Sequence, residues 1–107
     1  MVAQKKVVEA QYHKPYMNVL VYINGKRNED LGDVVAGRDI GFAKESAHRI
    51  LKALYDISSR LDAYVIVETN KGIPLIKMTY GYDAGILGFK IEVLKDELSH
   101  SSFWKPS

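Results

Sequence analysis

The chain has 107 residues, enough for one domain, with 47% apolar and 26% charged residues, no cysteine and a net charge of +2. That balance excludes a disordered chain, a disulfide framework and a thiolate metal site, and no apolar run is long enough to cross a membrane. Charge is uneven: residues 1–27 hold Lys5, Lys6, Lys14, Lys26 and Arg27 against Glu9, and Glu29, Asp30 and Asp33 follow. One electropositive end is therefore expected, compatible with a polyanionic partner. No apolar signal region precedes Lys14, so a cytoplasmic location is expected. A domain this small buries a limited share of its surface, which makes a homodimer the expected state.

Lys6-Val7-Val8-Glu9-Ala10 reads as a strand ended by Lys14-Pro15. The β-branched stretch from Met17 to Ile23 reads as a second, and Asn24-Gly25 as a tight turn. Val34-Val35-Ala36 is a short strand running into Gly37-Arg38-Asp39. From 40 to 61, Ile40, Ala43, Ala47, Ile50, Leu54, Ile57 and Leu61 recur in steps of three and four, which predicts a helix with Asp39 as N-cap. Glu45 with Arg49, and Asp56 with Arg60, are spaced to pair along it. Ala63 to Glu68 reads as a strand buried on both faces, and Asn70-Lys71-Gly72 breaks it. Ile76, Met78 and Tyr80 alternate with polar residues into a hairpin tip at Tyr80–Gly85, and Pro74 marks a bulge or an edge. Phe89, Ile91 and Val93 alternate with Lys90 and Glu92 as the returning strand. The local order is thus β-β-β-α-β-β-β, in a domain over 1–98 with a tail, 99–107, that carries Phe103 and Trp104.

Two strings suggest a more specific architecture: His13-Lys14-Pro15-Tyr16-Met17-Asn18 after the first strand, and Gly37-Arg38-Asp39-Ile40 with Ala43 at the start of the long helix. Both resemble signature segments of the Alba family of small archaeal chromatin and RNA-binding proteins. That family has Lys-Pro-x-Met-Asn after strand one and Gly-Arg-x-Ile-x-x-Ala before its second helix. Their order agrees here, and the spacing is three residues shorter. The resemblance covers residues 5–97 and implies an α+β domain of order β-α-β-α-β-β with a C-terminal hairpin. It also implies a dimer that binds DNA or RNA without catalysis and without a cofactor. It requires a helix over residues 16–28, where the composition reads as a strand, and both readings stand at this stage. A strand there is incompatible with the resemblance. The hairpin tip also lacks the basic residues with which such proteins reach into a minor groove.

The candidate binding residues follow from both lines. Lys14, with His13 beside it, sits where a phosphate-contacting loop belongs in the resemblance, and Pro15 stiffens it. Gly37-Arg38 precedes a helix N-terminus, which favours an anion, although Asp39 opposes one. Lys71 and Lys77 offer charge along the hairpin, and Tyr80 and Tyr82 offer aromatic faces for unpaired bases or, equally, cross-strand packing. The expected site is therefore Lys14, Arg38 and Lys77, with Lys71, Tyr82 and His13 second.

Metal and nucleophilic sites have little behind them. His13, His48 and His100 lack ligand spacing, Ser46, Ser58 and Ser59 fall within the expected helix, and Glu29, Asp30, Asp33 and Asp39 lack the alternation of a calcium loop. The alternative function is a protein-interaction or assembly module, suggested by the near-balanced charge, the uncharged tip and the aromatic tail.

Overall fold

In a computed structural model, residues 14–95 are described and form a small α+β domain. Its elements are β1 (Tyr16–Ile23), β2 (Lys26–Ala36), α1 (Ile40–Ile57), β3 (Ala63–Thr69), β4 (Pro74–Asp83) and β5 (Ile86–Val93). All pairings are antiparallel, in the order β2-β1-β3-β4-β5. The expected strand at 6–10 and the tail with Phe103 and Trp104 lie outside the described residues.

The β-α-β-α-β-β order is not what forms. Residues 16–23 are β1, and the segment that the Alba resemblance requires as a helix is a strand and a turn. The physical reason is local. Val19, Val21 and Ile23 are β-branched and alternate with Asn18, Leu20 and Tyr22, so a strand puts one set into the core and the other on the opposite face. Asn24 (φ 52°) and Gly25 (φ 83°) then adopt the paired positive dihedrals of a type I′ turn and send the chain back as β2. Asn24 also ties this turn to the loop before β3, since its N–H donates to the Asp62 carbonyl at 2.8 Å.

The one helix among the described residues lies across β1 to β4. Asp39 caps it, its carboxylate accepting from the Gly41 N–H at 2.8 Å, as expected. Ile40, Ala43, Ala47, Leu51 and Leu54 are buried against Met17, Val19 and Val21 of β1, Val65 and Val67 of β3, and Leu75, Ile76 and Met78 of β4. Ala43 and Ala47 are fully buried, and their small side chains let the helix approach the sheet closely. The helix ends at Ile57, short of the expected 61. Ile57 is 77% exposed, and Ser58 turns into extended backbone while its N–H still donates to the Leu54 carbonyl. Ser58 and Ser59 consequently lie outside it. Glu45 and Arg49 pair at 3.8 Å on the exposed face, worth a few tenths of a kcal/mol.

Two irregularities shape the sheet. Pro74 sits at a bulge, as anticipated: Val67 pairs with Ile76 and Glu68 with Pro74, leaving Leu75 as the extra residue. In β2 the acidic run 29–32 faces a single residue, Leu20, because Val19 pairs with Asp33 and Val21 with Asn28. The Asn28 side chain accepts from the backbone N–H groups of Asp30 and Leu31 and holds that excursion closed. Gly32 ends it with φ +124°, where a Cβ would lie 2.7 Å from the Val19 carbonyl oxygen.

Two stability effects follow. Gly32→Ala should destabilise the domain by about 1–3 kcal/mol through that clash and the positive φ. Ala84 has φ 51° in the β4–β5 turn, a conformation asparagine tolerates better. Ala84→Asn should therefore stabilise by about 0.5–1 kcal/mol. Urea titration of both variants checks the two signs.

Candidate functional site

Strand alternation divides the sheet into two unlike faces. With Val65 and Val67 of β3 under the helix, Tyr64, Ile66 and Glu68 emerge on the opposite side, joined by Asn18, Leu20 and Tyr22 of β1. β3 was expected to be buried on both faces. Its second face instead carries half-buried residues that no described element covers.

Cross-strand rows run over this open face. Arg27 pairs with Tyr22 and Tyr22 with Tyr64. The two tyrosine rings stack with centroids 4.9 Å apart and planes at 8°. In the next row Leu20 pairs with Ile66 and Ile66 with Lys77, whose Nζ lies 4.4 Å from the centre of the Tyr64 ring. Such contacts contribute about 0.5–1.5 kcal/mol for the ring pair and about 0.5–1 kcal/mol for an exposed cation over a ring. Beyond Lys77 lies Glu92, and Thr79 pairs with Lys90. In a third row the Asn18 amide donates to the Glu68 carboxylate at 3.3 Å. The centre of the open face is thus apolar and aromatic, with cations beside it.

The expected site residues fall into three places. Lys14 and Arg38 come together: the Gly37 N–H donates to the Pro15 carbonyl at 2.8 Å, and Tyr16 pairs with Ala36. Both side chains are exposed. Lys71 lies in the β3–β4 turn at the same end of the sheet, since Met17 pairs with Thr69. Lys77 is on the open face. Tyr82 is separated from all of these: it is 69% exposed near the hairpin tip, at the other end of the sheet and in alternation with Tyr80, which faces the helix. Tyr80 itself is a packing residue, edge-on to Tyr55 at 5.1 Å and tilted against Phe89 at 4.4 Å. His48 stacks on Phe89 at 3.7 Å. His13 lies outside the described residues.

Sequence reasoning missed Tyr22, Tyr64 and Arg27 as a group. The signal was the period-two alternation of Tyr22 with Val21 and of Tyr64 with Val65, which becomes informative once both segments are known to be neighbouring strands.

No described histidine or carboxylate belongs to a group of three that could hold a metal ion. Asp33 has a structural task, since one carboxylate oxygen accepts from the Ser46 hydroxyl at 2.8 Å and the other from the Val34 N–H at 2.8 Å. Ser46 is 3% exposed, so this bond ties β2 to α1 inside the domain. Comparison of the chain with protein-family models, with curated proteins and with solved structures finds no match. Any functional reading therefore rests on this geometry.

Asp33→Ala strands the buried Ser46 hydroxyl and should cost about 1–3 kcal/mol. The double variant Asp33→Ala/Ser46→Ala should cost less than the sum of the single changes. A denaturant double-mutant cycle measures that difference.

Proposed function

We propose that this protein binds single-stranded nucleic acid, without catalysis, on the open face of its sheet. The observation that carries this reading is the Tyr22–Tyr64 stack with Lys77 over Tyr64, on a sheet face that no described element covers. A flat face with aromatic residues and nearby cations suits unpaired bases: a base slides onto a tyrosine ring, and the displaced ammonium meets the adjoining phosphate. Arg27 stands on the other side of the pair. Lys14, Arg38 and Lys71 lie where a strand running along β1 leaves the sheet, about 20 Å from Tyr22 at the usual strand rise. They extend the phosphate track without reading sequence.

Duplex recognition has less support. The hairpin tip, Tyr82 to Ile86, carries Asp83 and no cation. The outer face of α1 mixes Lys44, Arg49 and Lys52 with Glu45 and Asp56, a poor match to a phosphate-lined groove. Contacts of this kind distinguish unpaired from paired strands far better than one base from another.

Fluorescence anisotropy with labelled single-stranded DNA, single-stranded RNA and duplex, each at several salt concentrations, tests the reading. Single strands should bind more tightly than duplex, with affinity falling as salt rises by about 0.7 of a log–log unit for each phosphate neutralised. Tyr64→Ala should weaken binding about 5- to 150-fold, the loss of one stacked base. Lys77→Ala should also reduce the salt slope, and Arg38→Ala should weaken all sequences alike. No binding at low salt, or a Tyr22→Ala/Tyr64→Ala variant that keeps its fold and full affinity, overturns the proposal.

A further inference from the structure

The two edges of the sheet are built differently. β2 is guarded: it is rich in charge, and its excursion at 29–32 breaks the line of its backbone. β5 has no such excursion, and its two charges, Lys90 and Glu92, are of opposite sign. It pairs with β4 without a register break from Ile86 to Val93, and α1 reaches it at Phe89, on which His48 stacks, while the residues on either side stay exposed. Leu87, Ile91 and Val93 alternate on its helix-side face and are 38%, 41% and 61% exposed. Among the described residues, nothing pairs with its outer edge.

The hydrogen-bond phase of that edge follows from the turn. Ala84 and Gly85 form a two-residue loop, so Asp83 and Ile86 flank it as a hydrogen-bonded pair, and every second residue of β5 from there turns its backbone groups toward β4. The Leu94 N–H, which donates to the Leu75 carbonyl at 2.8 Å, keeps the same phase. Leu87, Phe89, Ile91 and Val93 consequently direct their backbone N–H and C=O outward.

We propose that the outer edge of β5 pairs with the same edge of a second copy of this chain, antiparallel about a two-fold axis at Ile91, to make a continuous ten-stranded sheet. Charge selects this register. With the axis at Ile91, Lys90 lies opposite Glu92 of the other copy, twice over, on the open face. On the helix side Ile91 meets its own copy and Phe89 meets Val93. Centring the axis on Lys90 sets lysine against lysine, and centring it on Glu92 sets carboxylate against carboxylate, both of which are unfavourable. Centring it on Phe89 moves Val93 past the end of the partner strand and leaves it in water. The Ile91 register alone satisfies the backbone, the charges and the apolar row together, with about six main-chain hydrogen bonds gained. A second copy fits because the edge is complementary to itself, as an isologous contact requires.

Sedimentation velocity on the full chain over a range of concentrations tests this. The wild-type mass should rise from 12.1 kDa toward twice that value. Lys90→Glu and Glu92→Lys each place two like-charged pairs across the axis and should weaken the dimer by about tenfold or more. Mixing the two variants should restore association, because one chain then presents two carboxylates where the other presents two ammonium groups. A wild-type chain that stays monomeric throughout overturns the proposal. So does a dimer indifferent to both single changes, or a mixture no tighter than its components. Circular dichroism of each variant separates lost pairing from lost fold.

Discussion

Among the described residues one helix must serve five strands, and much of the structure follows from that shortage. An α-helix is about 10 Å wide with its side chains, while five strands span about 19 Å between the outermost two. Here α1 covers β1 to β4 on one side, and the other side has no described cover. The core accordingly draws on one face of the sheet: alternate residues of β1 and β3, Met17, Val19, Val21, Val65 and Val67, are buried, and their neighbours are not. What the open face must do is set by the same fact. Tyr22, Tyr64, Leu20 and Ile66 are too apolar for an idle solvated surface, yet they sit among Arg27, Lys77 and the Asn18–Glu68 bond, too polar for a domain core. Such a mixture fits a partner that presents both flat rings and charge.

Much of the fold was legible because it is written in local chemistry. The helix start at Asp39, the Asn24-Gly25 turn, the bulge at Pro74 and the strand on either side of Met78 each have a signature a few residues long. The helix end was harder. Ile57 and Leu61 continue the apolar spacing, but Leu61 reaches the core from the loop and Ile57 does not reach it at all, so the pattern outran the element. The segment 16–25 shows the opposite case. Its composition spoke for a strand, and two short strings at its borders spoke for a helix. The strand prevails because the β-branched residues of 19–23 can bury one full face only in that conformation.

The candidate site was less legible, for a reason of dimension. Tyr22 and Tyr64 are 42 residues apart in the chain and 4.9 Å apart as rings, so only the pairing of β1 with β3 makes them one feature. Lys14 and Arg38 neighbour each other because β1 and β2 form a hairpin whose ends meet. Tyr82 lies apart for the complementary reason: alternation from Tyr80 puts it on the helix-side face, away from Lys77. Side-chain period decides such questions before charge does.

The open face and the free edge are not independent in their consequences. Pairing through β5 makes the open faces of two copies continuous and puts Lys90 in a cross-axis pair with Glu92. In the proposed dimer the unpaired cations beside the aromatic stack are Arg27 and Lys77, the two that flank Tyr22 and Tyr64. From β3 to its counterpart is five strand spacings, about 24 Å. A single strand long enough to span that distance meets both aromatic pairs, and the second contact forms at the high effective concentration set by the first. A short strand gains nothing from the pairing. Under both proposals affinity gains a second step with strand length, beyond the one due to the Lys14–Arg38 end of a single copy, and that step requires the edge and the face together.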